Sequence, residues 1–166
     1  GGAATWYLIS HYPDVFAAAA PYCGYCDYRL WEKPGGSTFH MHEWEEMSWR
    51  GRSAVFLIDN LAYTKVWMVH GEWDRGVGGG VPVEHSRQMV RLFDEAGYDF
   101  RYTEVPETGH SCQKPEIVDE VIPWLLQQRK ERDHKRVVHS ASTLRHNRSH
   151  WLTIEQFQSY DCKSTV

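Results

Sequence analysis

The stretch KVWMVHGEWD, residues 65–74, joins a run of apolar residues to an abruptly polar end. Valine, tryptophan and methionine over residues 65–71 predict a buried strand that ends on Gly71. Asp74 follows three residues after that glycine. Because ligands of an open parallel sheet bind beyond the carboxyl ends of its strands, the position of Asp74 indicates a functional acid.

A second strand end leads to a histidine. Residues 99–105 alternate between apolar and polar side chains and predict another strand, after which residues 106–109 turn toward His110. Residues 81–96, between the two strands, have the apolar spacing of an amphipathic helix. A strand, a helix and a strand in this order predict a parallel crossover, so we expect Asp74 and His110 to emerge at the same edge of one sheet.

The other segments fit an α/β class with a parallel sheet and flanking helices. We expect helices over residues 3–11 and from Pro115 onward, and a short buried strand over residues 16–22. Residues 25–51 are polar and aromatic and predict a lid-like or connecting segment. A short helix is expected over residues 53–60, with a serine as its cap.

The carboxyl-terminal part of the chain has a different pattern. A charge-rich stretch over residues 130–136 has mixed sign, which favours a solvated helix end over a nucleic-acid patch. Beyond it, residues 137–144 and 151–157 alternate as strands do. We therefore expect a domain boundary that divides the chain into residues 1–133 and a short β-rich accessory module that begins at 134 and occupies 134–166.

Composition excludes several classes of protein. The 166 residues correspond to one domain or part of one, and 42% hydrophobic with 24% charged residues excludes wholesale disorder. A net charge of −4 gives no electrostatic reason to expect nucleic acid or an anionic membrane as partner. No apolar run approaches the roughly 18 residues of a membrane span. The four cysteines are too few for a disulfide scaffold, and the cellular compartment stays open.

An aspartate and a histidine that meet at one sheet edge indicate a specific chemistry. An aspartate that orients a histidine, with the histidine activating a hydroxyl, is the base half of a nucleophilic triad. In α/β-hydrolases the chain order is serine, then acid, then histidine, and Asp74 and His110 follow that order. The serine of a G-x-S-x-G motif occurs nowhere in the sequence.

Five short motifs, taken together, resemble the α/β-hydrolases and, within them, the serine peptidases of prolyl oligopeptidase type. They occur in the order of that family and cover about residues 1–129. The motifs are GGAAT (1–5), YPDVFAA (12–18), VHGEWD (69–74), VPVEHS (81–86) and TGH (108–110). In that family the catalytic serine lies in a turn called the nucleophile elbow, of the form G-x-S-x-G-G, which precedes a helix. GGAAT resembles the tail of this elbow, which implies that residues 1–133 are the carboxyl-terminal part of a catalytic domain. We expect the chain to be a fragment of this kind.

The resemblance implies peptide or ester hydrolysis through an acyl-enzyme. It makes Asp74 the triad acid and His110 the general base, with the nucleophilic serine just upstream of Gly1. No metal or organic cofactor is implied. The chain departs from the family at residues 75–80, a glycine-rich insertion before the V-P pair, which the family places about three residues after the acid. Without the serine, residues 1–166 alone are expected to be inactive and poorly packed.

Three alternatives remain for the function. The substrate is either a peptide or a small ester, so a carboxylesterase on the same fold is a second hypothesis. A hydrolase-like domain that has lost its nucleophile and acts as a binding module is a third. Ser111 is a weak candidate nucleophile, because Gln113 stands where an elbow needs glycine.

Other residues with reactive side chains have simpler interpretations. Cys23 and Cys26 form a C-x-x-C without a second pair, which favours two ordinary cysteines. Gly78-Gly79-Gly80 lacks the lysine of a phosphate-binding loop and favours a flexible loop. A polar cluster without the H-E-x-x-H spacing favours a solvated face over a metal site; its members are His40, His42, Glu43, Glu45 and Glu46.

Overall fold

Three parallel strands form the centre of the molecule in a computed structural model of the chain. The structure describes residues 1–30, 42–75, 79–158 and 164–165. The strands are β1 (Ala18–Ala19), β2 (Lys65–Gly71) and β3 (Phe100–Val105), in the order β1-β2-β3. This arrangement confirms the α/β class with a parallel sheet.

The β2 and β3 strands pair in parallel along their whole shared length, from Val66 opposite Phe100 to Gly71 opposite Val105. The sequence prediction of β2 is therefore confirmed residue for residue. The β1 strand is shorter than the predicted strand over residues 16–22. Its ladder stops after two residues and resumes as a single bridge between Tyr22 and Val69, because Pro21 between them has no N–H to donate.

Four α-helices accompany the sheet in the described part of the chain: α1 (Gly2–His11), α2 (Glu43–Arg52), α3 (Glu84–Ala96) and α4 (Pro115–Gln127). The predictions of α1, α3 and α4 are confirmed, although α3 begins three residues later than expected. Gly97 ends α3 with a left-handed φ of 69°. None of the described helices is long and apolar enough to cross a membrane.

Alternate residues of β2 pack into two separate hydrophobic clusters. Val66 and Met68 join a cluster with Phe93 of α3, whereas Trp67 and Val69 join one with Val121 of α4. Both faces of β2 are therefore covered by helices, which explains its nearly continuous apolar sequence. This burial fixes the ends of β2 and β3 relative to each other.

One prediction before β2 was wrong. The connecting segment expected over residues 25–51 stays a prediction, because residues 31–41 lie outside the described residues; its described part contains α2, which begins with a capping box between His42 and Glu45. The expected helix over residues 53–60 is instead two 3₁₀ turns, Ala54–Phe56 and Ile58–Leu61. Ser53 does not act as its cap, because its hydroxyl donates to the Trp49 carbonyl and accepts from the backbone N–H of Tyr28.

The carboxyl-terminal segment is made of short antiparallel pairs. The pairs are β4 (Ser140–Ala141) with β7 (Ser164–Thr165) and β5 (Arg148–Ser149) with β6 (Leu152–Thr153). They confirm a short β segment, although the strands are shorter than the predicted ones, and a 3₁₀ turn, Leu144–His146, lies between β4 and β5. The domain boundary at residues 133 and 134 stays a prediction.

Candidate active site

The structure brings Asp74 and His110 into direct contact. The His110 Nδ1–H donates to Asp74 Oδ2 over 2.7 Å, although the two residues are 36 positions apart in the sequence. The Asp74 side chain is 2% exposed, whereas that of His110 is 49% exposed. One end of the pair is therefore buried and fixed, and the other faces solvent, where a substrate could approach.

Asp74 is held by main-chain groups on both sides of the glycine-rich insertion. Its other carboxylate oxygen, Oδ1, accepts the Val81 N–H over 2.8 Å. The Asp74 carbonyl accepts the Val83 N–H over 3.0 Å, and its own N–H donates to the Gly71 carbonyl. The chain thus returns to Asp74 after the insertion, so the extra residues leave the carboxylate anchored between β2 and α3.

A buried histidine next to Asp74 was not singled out from the sequence. His70 Nε2 lies 2.8 Å from the Val81 carbonyl and 3.5 Å from Asp74 Oδ2. Because a carbonyl can only accept, Nε2 carries the proton, and the Ser86 hydroxyl donates to Nδ1 over 2.6 Å. Burial lowers the pKa of His70, which keeps it neutral beside the carboxylate. Its only sequence signal is its place in β2, four residues before Asp74.

The loop that carries His110 packs tightly on the end of β2. The Trp73 N–H donates to the Thr108 carbonyl over 2.9 Å, and the Glu72 carboxylate accepts the Glu107 N–H over 2.9 Å. A Cβ added at Gly71 would lie 2.1 Å from the Gly109 carbonyl oxygen. Only glycine permits this approach, so Gly71 helps to set the position of His110.

The start of α1 and the His110 loop both contact the segment after β1. A Cβ on Gly2 would lie 2.1 Å from the Tyr22 carbonyl oxygen, and one on Gly24 would lie 2.5 Å from the Gly2 carbonyl carbon. Cys23, between Tyr22 and Gly24, has its sulfur 3.5 Å from the His110 carbonyl oxygen. The segment after β1 therefore contacts both the first turn of α1 and the His110 loop.

Residues 1–131 match the family described as the prolyl oligopeptidase family. The chain belongs to that family. A curated relative in Arthroderma benhamiae, named an uncharacterized secreted protein, is 38% identical over 122 residues. That match covers 66% of this chain and 12% of the relative, so the chain spans about an eighth of the relative's length.

Solved structures of hydrolases share the fold of this prolyl oligopeptidase family member. A thermostable esterase is 31% identical, with a TM-score of 0.50, over 77% of this chain and 28% of the esterase. A puromycin-hydrolyzing peptidase of Mycobacterium tuberculosis is 20% identical, with a TM-score of 0.53, over 75% of this chain and 19% of the peptidase. The α/β-hydrolase fold and the hydrolase family are thereby established for this chain.

Other candidates from the sequence lie apart from this contact or have structural roles. Ser111 is exposed, and within the described residues it makes no hydrogen bond to His110. His42 and Glu45 form the cap of α2, and Glu46 pairs with Arg50, so these residues form a polar helix surface. His40 and Gly78 lie outside the described residues.

The Cys23 and Cys26 thiols do not act as a pair in this family member. Cys26 Sγ lies 3.1 Å from the His85 carbonyl, whereas Cys23 Sγ lies 3.0 Å from Cys112 Sγ. Potential metal-ligand atoms of Cys23, Asp74 and His110 lie within 4.8 Å of one another. In each case these atoms already contact a protein partner, so we assign no metal to them.

Proposed function

We propose that Asp74 and His110 are the acid and the general base of a serine hydrolase. The observation that carries the proposal is the 2.7 Å contact between His110 Nδ1 and the buried Asp74 carboxylate. This contact keeps the proton on Nδ1, so that Nε2 is unprotonated and can accept a proton from a hydroxyl nucleophile.

The reaction follows from these positions. His110 Nε2 takes the proton of the serine hydroxyl while the serine oxygen attacks the acyl carbon. Asp74 stabilises the imidazolium that forms, and His110 then gives its proton to the leaving amine or alcohol. In the second half, His110 activates water, which attacks the acyl-enzyme and releases the acid.

The nucleophile of this proposal is a serine that precedes Gly1 in the complete protein. Two observations support it. Gly1 and Gly2 resemble the last positions of a nucleophile elbow, and Gly2 packs against the segment that also contacts the His110 loop. A serine in that elbow would therefore adjoin a helix start that packs on the segment in contact with the His110 loop. Because this mechanism needs that serine, residues 1–166 alone are inactive in this proposal.

The preferred substrate in this proposal is a peptide, in keeping with the family. A small ester is the second candidate, supported by the thermostable esterase that is 31% identical to this chain. The triad chemistry is the same for both, because the acyl-enzyme does not depend on whether an amine or an alcohol leaves. Loss of the nucleophile, which would make the domain a binding module, is the third possibility.

A fluorophosphonate probe on the full-length protein tests the mechanism. We expect covalent labelling of one serine just before Gly1, identified by mass spectrometry, and loss of labelling in His110→Ala. The matched control His42→Ala changes an exposed histidine at the N-cap of α2, and this variant should label normally. No labelling of the wild type would favour the binding module, whereas labelling that persists in His110→Ala would reject the base assignment.

The substrate class needs a separate measurement. For each substrate, kcat/KM is divided by the rate constant of its uncatalysed hydrolysis. We expect this ratio to be higher for a dipeptidyl amide than for a short acyl ester in the full-length protein. The reverse ranking would replace the peptidase with a carboxylesterase and would leave the roles of Asp74 and His110 unchanged.

A further inference from the structure

Two cysteines that are far apart in sequence are in contact with each other beside the main chain of His110. Cys23 follows β1 and Cys112 stands two residues after His110, and their sulfur atoms are 3.0 Å apart. Both residues are buried. The Cys23 thiol also lies 3.5 Å from the His110 carbonyl oxygen, so the pair is joined to the main chain of the proposed general base.

The backbone holds the two sulfur atoms in this position. Cys23 has a left-handed φ of 44°, unusual for a residue other than glycine, and its N–H donates to the Val69 carbonyl over 2.9 Å. Cys112 packs in the same hydrophobic cluster as Val69 and Val121. A disulfide bond is about 2.05 Å long, so bond formation needs a movement of about 1 Å shared by two side chains.

The contact also prepares one of the two thiols for oxidation. The Cys23 S–H can donate to the sulfur of Cys112, which lowers the pKa of Cys112 and raises that of Cys23. Cys112 is therefore the thiol that ionises first. Because the thiolate is the reactive form, Cys112 is the first nucleophile and Cys23 is the resolving thiol.

We propose that Cys23 and Cys112 form a site of reversible oxidation, in which hydrogen peroxide converts the two thiols to a disulfide. The Cys112 thiolate attacks one peroxide oxygen, becomes a sulfenic acid and releases hydroxide, which takes up a proton to form water. The Cys23 sulfur then attacks the sulfenic sulfur, loses its proton and expels the hydroxyl group as a second water. Two thiols and one peroxide thus give one disulfide and two waters.

The disulfide would tie the end of β1 to the loop that carries His110. The contact between the Cys23 sulfur and the His110 carbonyl oxygen would be reinforced by a covalent link two residues further along the chain. We expect the loop to become stiffer and the domain to unfold at a higher temperature, since the link restrains a long segment of the unfolded chain. This inference does not depend on the proposed function.

Treatment of the full-length protein with hydrogen peroxide tests the proposal. A variant with Cys162→Ser removes the cysteine that lies outside the described residues. After a non-reducing tryptic digest, we expect a peptide pair that joins Cys23 to Cys112 and weighs about 2 Da less than the two free peptides. Dithiothreitol should separate the pair. Oxidation should raise the unfolding temperature by several degrees and slow amide hydrogen exchange over residues 106–112.

Single variants provide the controls. Cys23→Ser and Cys112→Ser should each prevent the link and the rise in unfolding temperature. Cys26→Ser is the matched control, because Cys26 is equally buried, lies three residues from Cys23 and contacts His85 instead of a cysteine. It should leave the link intact. A link through Cys26, or oxidation of Cys112 to a sulfinic acid without any link, would overturn the proposal.

Discussion

Histidines occupy two regions of this molecule under opposite conditions. His110, at the carboxyl edge of the sheet, is half exposed and has a single described side-chain partner, the Asp74 carboxylate. A second group lies where the carboxyl-terminal segment meets α1. There His139 is buried with Nε2 2.7 Å from the His146 carbonyl, and His146 packs edge-on against His11.

The difference shows how surroundings decide the role of a histidine. Burial lowers the pKa values of His11, His139 and His146, that of His146 to about 4, so these rings are neutral structural groups near neutral pH. The His110 ring instead has one nitrogen directed at a carboxylate and a side chain that solvent can reach. A proton carrier in catalysis needs both properties.

Alanine variants of one histidine from each region should separate catalysis from stability. His110→Ala should lower kcat of the full-length protein by about ten-thousand-fold, because the general base is lost. It should leave the unfolding temperature unchanged, because the ring that it removes is half exposed. His139→Ala should lower the unfolding temperature, because it leaves a cavity and an unpaired His146 carbonyl, and should change kcat little. Kinetics and thermal denaturation measure both. A His139→Ala variant without activity but with normal stability would contradict this separation.

The packing of Gly71 on the His110 loop should be sensitive to one methyl group. Gly71→Ala would place a carbon 2.1 Å from the Gly109 carbonyl oxygen, so backbone must move and His110 with it. We expect kcat to fall about a hundredfold.

Gly97→Ala is the matched control: Gly97 also ends an element, but its Cβ would meet nothing within 4 Å. Alanine at this left-handed φ should cost about 1 kcal/mol of stability, and the variant should keep the wild-type kcat. Equal kcat values for the two variants would contradict the role of Gly71.

One buried amide joins the carboxyl-terminal segment to α1. Asn60 Nδ2 donates to the carbonyls of Ser10 and Ser140 over 2.7 and 2.8 Å, and Asn60 Oδ1 accepts the Ser140 N–H over 2.7 Å. Asn60→Ala would leave three main-chain groups without this partner and should cost about 2–4 kcal/mol in the free energy of unfolding. Denaturant unfolding of the full-length protein measures the loss.

A second asparagine provides the control for Asn60. The half-buried Asn147 donates one side-chain hydrogen bond, to the Ile154 carbonyl over 2.8 Å. Asn147→Ala should therefore cost about 1 kcal/mol. If both variants lost the same stability, Asn60 would not be the main link between the carboxyl-terminal segment and α1.

The histidine cluster should make stability depend on pH. The unfolded chain binds a proton on His146 near pH 6.5, whereas the folded chain binds it only near pH 4. Between these two pH values, protonation of His146 therefore favours the unfolded state. The free energy of unfolding is greatest above about pH 6.5 and falls as the pH drops toward 4. We expect His146 to contribute about 1–2 kcal/mol of this loss.

Unfolding temperatures at pH 7.5 and pH 5 test the contribution of His146. His146→Phe keeps a ring among the aromatic neighbours Tyr7 and Tyr12 but removes the proton site, so its unfolding temperature should fall less on acidification. His42→Phe, at the exposed N-cap of α2, should show the same fall in unfolding temperature on acidification as the wild type does. An unchanged pH dependence in His146→Phe would assign the effect to other groups.

Local patterns were reliable where one strong signal dominated. The apolar run of β2, the amphipathic face of α3 and the proline at the start of α4 all appear in the structure at the predicted places. The predicted helix over residues 53–60 failed because the Ser53 hydroxyl bonds to Trp49 and Tyr28. Trp49 lies four residues earlier in α2, whereas Tyr28 comes from a distant segment, and no local pattern reveals that second contact.

The sequence by itself determined the class of fold, the family and the edge of the sheet where Asp74 and His110 emerge. Strand and helix periodicity and the order of motifs carry that information, because they depend on neighbours in the chain. Only the tertiary structure decided that Val81 returns to Asp74, that His70 lies beside it and that Cys23 meets Cys112. These contacts join residues from separate elements, and their distances depend on how β1, β2 and the His110 loop pack together.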